Sequence, residues 1–519
     1  MLYNISVIIA SVAALFSLTR QLHMLQQNSY YNSRYLSWAK DNFGFKTVFA
    51  VLILVASCSF LKVTWLILSS VLLVSIIKIA HTFSFQKKAI KPIVFTSRIK
   101  RMYVTAFIIL AALCVCCFVF KNIRFAFVIA VLVLFYFPGV TAVAVNIINS
   151  PVEKAVKQWY ISDAKKKLRS FSDIKIIGIT GSYGKTSTKH ILARLLNEKY
   201  NVCFTPGSFN TPMGVVRSIR EHMQPQTEIF VCEMGAKNVG DIKEICKIVH
   251  PDTAIITSVG PQHLNTFKSI DNIVKTKFEL ADAVKEKSGK VYLLNDNELI
   301  CAKSKEYDAV MYGTIDGSDF KAENIRCSKS GTQFDVVFGG ERISLSTKLL
   351  GMHNVVNITG AVAMAYQLGV STRDIVYAVS KLEQTEHRLQ LKPFIKGSTL
   401  IDDAYNANPE GCLEAVRVLG SFEGMKKIIV TPGLVELGEK EYECNYNLGL
   451  ECTKHCDEII LVGKERSKPM TDAIATTEFD KDRVHVVGSF KDAMALMQNM
   501  LDENCAVLFE NDLPDNYSK

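Results

Sequence analysis

Acidic residues are almost missing from the first 150 positions: that stretch holds one, Asp41, beside 14 Lys and Arg. Residues 151–519 hold 46 Lys/Arg and 49 Asp/Glu, so the formal charge of +10 divides into +13 and −3. The positive excess is not a basic footprint on a folded soluble surface, which argues against a nucleic-acid partner. Cysteine pairs are also scarce. Of 14 cysteines, Cys58, Cys114, Cys116 and Cys117 lie in apolar runs, and the other ten form no CxxC pair. They read as reduced, mostly buried thiols of a cytosolic domain. Cys444, Cys452, His455 and Cys456 gather metal-ligand types, but only Cys452 and Cys456 stand one helical turn apart, so packing explains them better than a metal. No GxSxG elbow supports serine-hydrolase chemistry. The string LSGGQ, expected of an ABC-type transport ATPase, is absent. A hydrophobic content of 49% excludes a disordered chain, and the length excludes a small disulfide scaffold. The 519 residues accommodate about three to four domains.

Long apolar runs take the place of charge in the first 150 residues. Residues 2–18 are uncharged, with no basic start and no small-residue cleavage site, which favours an anchor over a signal peptide. Residues 47–77 are apolar except for Lys62. As one helix they would extend about 46 Å, against about 30 Å of hydrocarbon. Two short tilted spans, or one overlong helix, are the alternatives. Residues 102–120 and 125–145 complete four or five spans, joined by a hairpin at 121–124, with Pro138-Gly139 kinking or ending the last. The loop 78–101 carries seven Lys/Arg and no acid, so it should be cytoplasmic, and so should everything after about residue 150. Five spans with the N-terminus outside also place the basic 20–46 loop inside, and that count is preferred. Apart from Lys62 no expected span has an interior ionisable residue, which a transporter or proton relay would normally show.

From about residue 170, strand and helix patterns alternate. Residues 174–180 suit a buried parallel strand. Gly181-Ser182-Tyr183-Gly184-Lys185-Thr186-Ser187 follows, then a helix-like stretch to Leu196. This is phosphate-loop context: glycines let backbone N–H groups approach phosphates, and the helix start adds a favourable dipole. Lys185 would reach the terminal phosphates and Thr186 would offer its hydroxyl to Mg²⁺. The strict GxxxxGK[ST] spacing fails, because Gly178 comes one residue too early. Such a loop needs an acid on a neighbouring strand, and the apolar run from Ile229 ends in Glu233. The next run, 253–257, leads to His263. Ligands of an open parallel sheet bind beyond the carboxyl ends of its strands, where Glu233 and His263 both fall.

Further strings follow in order: Glu233-Met-Gly, Thr257-Ser-Val-Gly-Pro-Gln-His-Leu264, Lys275-Thr-Lys-Phe-Glu-Leu280, Leu294-Asn-Asp296 and Gly351-Met-His-Asn-Val-Val-Asn357. Arg388, Asp402-Asp-Ala-Tyr-Asn-Ala-Asn-Pro409 and Glu436-Leu-Gly438 complete the set. With the loop Gly178-Ile-Thr-Gly-Ser-Tyr-Gly-Lys-Thr186, the chain over about 170–510 resembles the Mur ligases, ATP-dependent ligases that build the peptide of bacterial cell-wall precursors. The Asp-Asp-x-Tyr-Asn-Ala-Asn-Pro and Glu-Leu-Gly strings resemble the branch that adds D-alanyl-D-alanine to UDP-N-acetylmuramoyl tripeptide. The implied architecture is an α-helical membrane region followed by α/β domains: 1–150 membrane, 151–172 linker, 173–380 a P-loop central ATPase domain, 381–519 a Rossmann-like C-terminal domain. The hinge is expected in 369–388. Candidate strands of the last domain are 399–402, 427–431, 458–462 and 506–510.

The resemblance implies an amide ligase that uses ATP and Mg²⁺. A carboxylate attacks the γ-phosphate, and an amine displaces phosphate from the acyl phosphate. Lys185, Lys277, His263 and Arg388 are its implied catalytic residues. Gly181, Ser182, Gly184, Lys185, Thr186, Ser187, Asn295, Asn357, Arg388 and Asp403 would hold the nucleotide, with Asn295 near adenine and Asp403 at the ribose. Thr186, Glu233, His263 and Lys277 would form the metal site. In the family the lysine matching Lys277 is usually carbamylated, which turns a cation into an anionic ligand; an ordinary exposed helix lysine is the alternative. For His353, Asn354 and Asn357, helix capping competes with binding. An Asn-rich turn competes at 405–409.

Two departures bear on the substrate. The membrane region stands where family members usually carry a UDP-binding domain, and the usual Lys-Gly-Ser string after the last strand is replaced by Glu510-Asn511-Asp512. His387 also replaces a common glycine, and Thr431-Pro-Gly-Leu-Val precedes Glu436. The partners expected are a cell-wall precursor peptide, UDP-linked or lipid-linked, an amino acid or dipeptide such as D-alanyl-D-alanine, and membrane lipids. A Mur-type ligase making another amide, such as a γ-glutamyl polymer, and a non-ligase ATPase coupled to the membrane part are the alternatives.

Overall fold

The computed structural model describes residues 2–42, 75–76, 80, 92–120, 127, 130–131, 133–134, 137–261, 264–328, 330–383, 389–404, 409–435 and 437–511. Two compact units divide the chain at Tyr160/Ile161.

In the first unit, α1 (Leu2–Gln27), α2 (Asn32–Asn42), α3 (Ser97–Val119) and the start of α4 (Pro138–Arg169) are the long described elements. Leu18, Leu22, Leu25, Ile99, Met102, Ala106, Ala142 and Val145 form their shared core, with Tyr35 buried among them. Alanines at 106 and 142 let the helices approach closely. Ile8–Gln27 and Ser97–Val119 are long and apolar enough to cross a membrane. The outward face of α3 is apolar as well: Val104, Phe107, Ile108, Val115 and Val119 are exposed. Among the described residues Leu134 is helical, Phe137 is not, and Pro138 opens α4, so the helical run breaks where Pro138-Gly139 led one to expect, at a position where the missing proline N–H costs nothing. The expected linker is helical as far as Arg169, with Pro151 inside the helix. The expected span 47–77 lies outside the described residues except Ser75 and Ile76; so does hairpin 121–124.

The second unit begins with the tail of α4, whose Asp163 pairs with Arg220 at 2.6 Å. Lys167 caps the carbonyls of Arg220 and Met223 at 3.0 and 2.9 Å. A nine-stranded sheet follows in the order β2-β3-β1-β4-β5-β6-β7-β8-β9. Strands β1 (Lys175–Thr180), β2 (Val202–Phe204), β3 (Ile229–Glu233), β4 (Thr253–Ile256), β5 (Val291–Leu294) and β6 (Ala309–Gly313) are parallel. All five residues of β3 are buried, as a parallel strand covered on both faces requires. Strand β7 (Phe320–Ser328) joins β6 in parallel and then turns the sheet antiparallel with β8 (Gly331–Phe338) and β9 (Glu341–Thr347).

A second sheet runs β10-β11-β15-β12-β13-β14. Its strands are β10 (Gln390–Pro393), β11 (Thr399–Asp403), β12 (Lys426–Thr431), β13 (Glu458–Val462), β14 (Val484–Val487) and β15 (Cys505–Glu510). Only β10 is antiparallel. Cys412, Cys452 and Cys456 are buried in a core on one face, with Ile401, Ile429 and Leu508. Packing therefore accounts for Cys452 and Cys456. The last strand lies in the middle of this sheet, between β11 and β12.

Candidate active site

The phosphate loop leaves the carboxyl end of β1 and enters α5 (Lys185–Leu196). Two of its glycines are required by geometry. Gly181 has φ +153°, and a Cβ there would stand 2.1 Å from Thr257 Oγ1. Gly184 has φ +78°, and a Cβ would meet Asn357 Oδ1 at 2.7 Å. Gly178 is outside the loop: it lies in β1, and its missing side chain makes room for Leu280 and Met234. This explains why the strict loop spacing fails by one position. Ser182 is buried and donates to the Gly260 carbonyl at 3.0 Å, while its N–H bonds to Ser258 O at 2.7 Å. These bonds fasten the loop to the carboxyl end of β4. Lys185 Nζ donates to the carbonyls of Gly181 and Ser182 at 2.7 and 2.9 Å. Burial pulls its pKa down to about 8, partly opposed by Glu233. Ser187, next along, sits in the first turn of α5.

Glu233 ends β3, one strand over, and is 1% exposed. Its Oε1 accepts from Thr186 Oγ1 at 3.1 Å and from Asn210 Nδ2 at 3.0 Å. Its Oε2 pairs with Lys189 Nζ at 3.0 Å, and Lys189 also donates to Gly207 O at 2.6 Å. Sequence reasoning missed Lys189 and Asn210. Lys189 had a signal: it stands four residues, one helical turn, after Lys185 and so shares its face.

Lys277 lies on α6 (Ile270–Lys285) and is 2% exposed. The exposed-lysine alternative is thereby removed. Burial, reinforced by Lys185, brings its pKa down to about 7, with Asp241 and Glu279 opposing. No described carboxylate lies within ion-pair distance of it. Asn357, on α7 (Met352–Gln367), does not cap that helix. It is buried and accepts from Thr188 Oγ1 at 3.1 Å, locking α7 to the phosphate-loop helix. Asn354 instead bonds to Leu350 O at 2.7 Å. Asn295, just past β5, donates to Ser318 Oγ at 3.1 Å. His263, Arg388, Tyr405–Asn408 and Glu436 lie outside the described residues.

The second sheet approaches this site through α8 (Pro409–Gly420). Burial and the nearby Glu410 carboxylate push Tyr183 up to about 12. Glu414 accepts from Met352 N at 2.7 Å, joining α8 to the start of α7. Asp403, at the end of β11, accepts from Leu389 N at 3.0 Å. Beside it is a fully buried acid, Glu510, which accepts from the Cys412 thiol at 2.7 Å. Burial and Asp403 hold the Glu510 carboxyl well above its usual range.

The described donors around the loop are a hydroxyl and a carboxylate, hard oxygen ligands of the kind Mg²⁺ takes together with waters and phosphate oxygens. Bare ammonium at Lys277 does not suit that ion; an anionic form does.

Comparison with known sequences agrees with this geometry. Residues 179–365 match the model of the Mur ligase middle domain, and 387–510 that of the Mur ligase, glutamate ligase domain. The UDP-N-acetylmuramoyl-tripeptide–D-alanyl-D-alanine ligase of Bacillus subtilis is 30% identical over 338 residues, 65% of this chain and 72% of that protein. The chain belongs to the Mur ligase family. The Haemophilus influenzae ligase of the same name is 27% identical, over 71% of this chain and 81% of its own. Among solved structures, MurF from Acinetobacter baumannii superposes with a TM-score of 0.60 at 25% identity, covering 69% of this chain and 77% of that one. MurF from Thermotoga maritima in complex with ADP gives 0.58 at 26%, covering 69% and 80%. As a Mur ligase the protein is an ATP-dependent enzyme forming C–N bonds. The phosphate loop, Glu233 and Lys277 all lie inside the matched middle domain.

Proposed function

We propose that the chain is a membrane-held Mur ligase that joins D-alanyl-D-alanine to a muramoyl-tripeptide precursor. The carrying observation is the layer of phosphate loop and acid at the strand ends of β1 and β3, with buried Lys277 on α6, in a chain similar over most of the catalytic region to ligases of that name. ATP supplies the driving force: a carboxylate is a poor acylating agent, and its acyl phosphate is a good one. Lys185 neutralises charge on the phosphoryl oxygens, and the loop N–H groups fix the phosphates. Thr186 and Glu233 would hold Mg²⁺, which neutralises the developing phosphate charge. Arg388 clamps the phosphates from the C-terminal domain, His263 joins the metal site, and Asn295 and Asp403 position adenine and ribose. Lys277 adds CO₂ through its neutral amine and releases a proton, leaving an anionic carbamate. Its depressed pKa supports this reading, because only the uncharged amine reacts.

The finer substrate reading is a precursor carried on lipid. The apolar exposed face of α3 favours it, since such a face in water would be costly and in a bilayer is not. The test supplies full-length protein in detergent with ATP, D-alanyl-D-alanine and either the UDP-linked or the polyprenyl-diphosphate-linked tripeptide. Mass spectrometry should show the amide product, and Lys185→Ala should abolish it. ADP release that ignores the amine would overturn the ligase reading. Turnover of the UDP form alone would remove the lipid-linked one.

A further inference from the structure

A cavity of about 340 Å³ lies in the first unit, where α2 begins, α3 makes its first turn and α4 passes Asn146 to Pro151. That is within the usual small-molecule range of about 300–1,000 Å³. Its walls mix apolar surface with the polar groups of Asn32, Arg98, Asn146 and Ser150. Asn146, 6% exposed, is fully engaged: Nδ2 donates to Tyr30 O at 3.0 Å and to Asn32 Oδ1 at 2.8 Å, and Oδ1 accepts from Arg98 at 3.0 Å. The Arg98 guanidinium lies 3.8 Å from the centre of the Tyr30 ring. Arg98 is thus held in place from two sides.

Its charge is only loosely matched. The nearby acid, Glu153, gives both oxygens to Arg101, at 2.8 and 3.0 Å. From Arg98 Nε it is 4.0 Å away. Nε is buried and has no hydrogen-bond partner among the described residues. A buried N–H of a cation without an acceptor is costly. The guanidinium as a whole lines the cavity, and an anion there would add the close countercharge that Glu153 does not give. The Ser150 hydroxyl and the first N–H groups of α2 add donors. One acceptor is present too. Pro151 has no N–H, so the Ile147 carbonyl lacks its helical donor. Donors for an anion beside one acceptor for a hydroxyl or amine match an esterified phosphate better than a bare ion.

We propose that this cavity, built on Arg98, Asn146, Tyr30, Asn32 and Ser150, binds the phosphate of a headgroup. The inference concerns a site separate from the ATP site and stands whichever amide the enzyme makes. A membrane lipid and a soluble nucleotide sugar both offer that phosphate chemistry. The location favours the lipid: the cavity lies at the end of α1 and the start of α3, which among the described residues are long and apolar enough to cross a bilayer. There headgroups would meet it.

The experiment titrates full-length protein in detergent with a polyprenyl diphosphate, phosphatidylglycerol and UDP, reading tryptophan fluorescence and melting temperature. The expected result is saturable binding of at least one lipid phosphate, weakened about tenfold or more by Arg98→Gln, less by Arg98→Lys, and detectably by Ser150→Ala. Arg98-dependent binding of UDP alone keeps the site and assigns it to the soluble source. If Arg98→Gln fails to fold, Arg98→Lys and Ser150→Ala carry the comparison. Binding of all three probes that is absent, or equal in wild type and folded variants, overturns the proposal. Failure of ligation in the earlier assay would leave this titration unaffected.

Discussion

Two buried lysines of the site, Lys189 and Lys277, are there for different reasons. Lys189 is the structural one. Lys189→Ala leaves Glu233 buried with only neutral donors, and breaking such a pair costs about 3–5 kcal/mol. A urea melt should show a correspondingly lower midpoint, with ATP turnover falling alongside. Lys277 is the chemical one. Lys277→Ala should lose activity on the order of a hundredfold or more, and formate or another short carboxylate should restore part of it by replacing the anion. Full activity of the variant would return Lys277 to a packing role. Because its pKa is near 7, activation of CO₂-depleted enzyme by added bicarbonate should rise between pH 6 and 8 as the neutral amine accumulates. The burial of Lys277 was legible and went unread. Its neighbours three and four positions away, Ile273, Val274, Leu280 and Ala281, are all buried, and they place it on the inner face of α6. Lys189 was missed because its partner lies 44 positions away, on a strand.

At the scale of elements, the strands carrying a continuous apolar run were read almost to the residue: β1, β3 and β4 in the first sheet, β11, β12, β13 and β15 in the second. Most of the others lie at the rims or in the antiparallel extension; β6, inside the parallel part, is only partly buried along its length. β10 ends in Pro393, and β14 is partly exposed along its length. In β8 and β9 burial alternates, so no apolar run announces them. The helical course of 151–169 was hidden by its charge, because lysines suit an exposed helix as well as a linker. Where the second sheet departs from the family string, Glu510 brings a testable pH dependence. Its folded-state pKa is raised above the 4.5 of a free carboxyl. The native state therefore binds the proton more tightly than the unfolded chain. That contribution is complete below about pH 4.5 and is lost as pH rises through the raised value. Melting temperature should thus fall with pH across this window, and Glu510→Gln should flatten the slope. An equally steep fall in the variant would assign it to other groups.

For the whole molecule, the decisive prediction is topological. Single cysteines placed in the 78–101 loop of intact cells should resist membrane-impermeant maleimide, and so should native Cys444. Labelling of that loop from outside would invert the arrangement and separate the phosphate loop from cytosolic ATP. One further consequence concerns time. Strand β15 sits between β11 and β12, so the second sheet is cut in two until β15 arrives. At about 5–20 residues per second of synthesis, the roughly one hundred residues between Asp403 and Cys505 take about 5–20 seconds to emerge. Through that interval the ATP-binding sheet, complete at Thr347, can already be closed, while β11 waits with an open flank. An enzyme arranged this way does not acquire its second lobe gradually during translation; it acquires it once β15 has emerged. A chain that stops short of β15 should be recognised by the cell as damaged, with its phosphate loop intact and nothing to bring Asp403 and Arg388 to it.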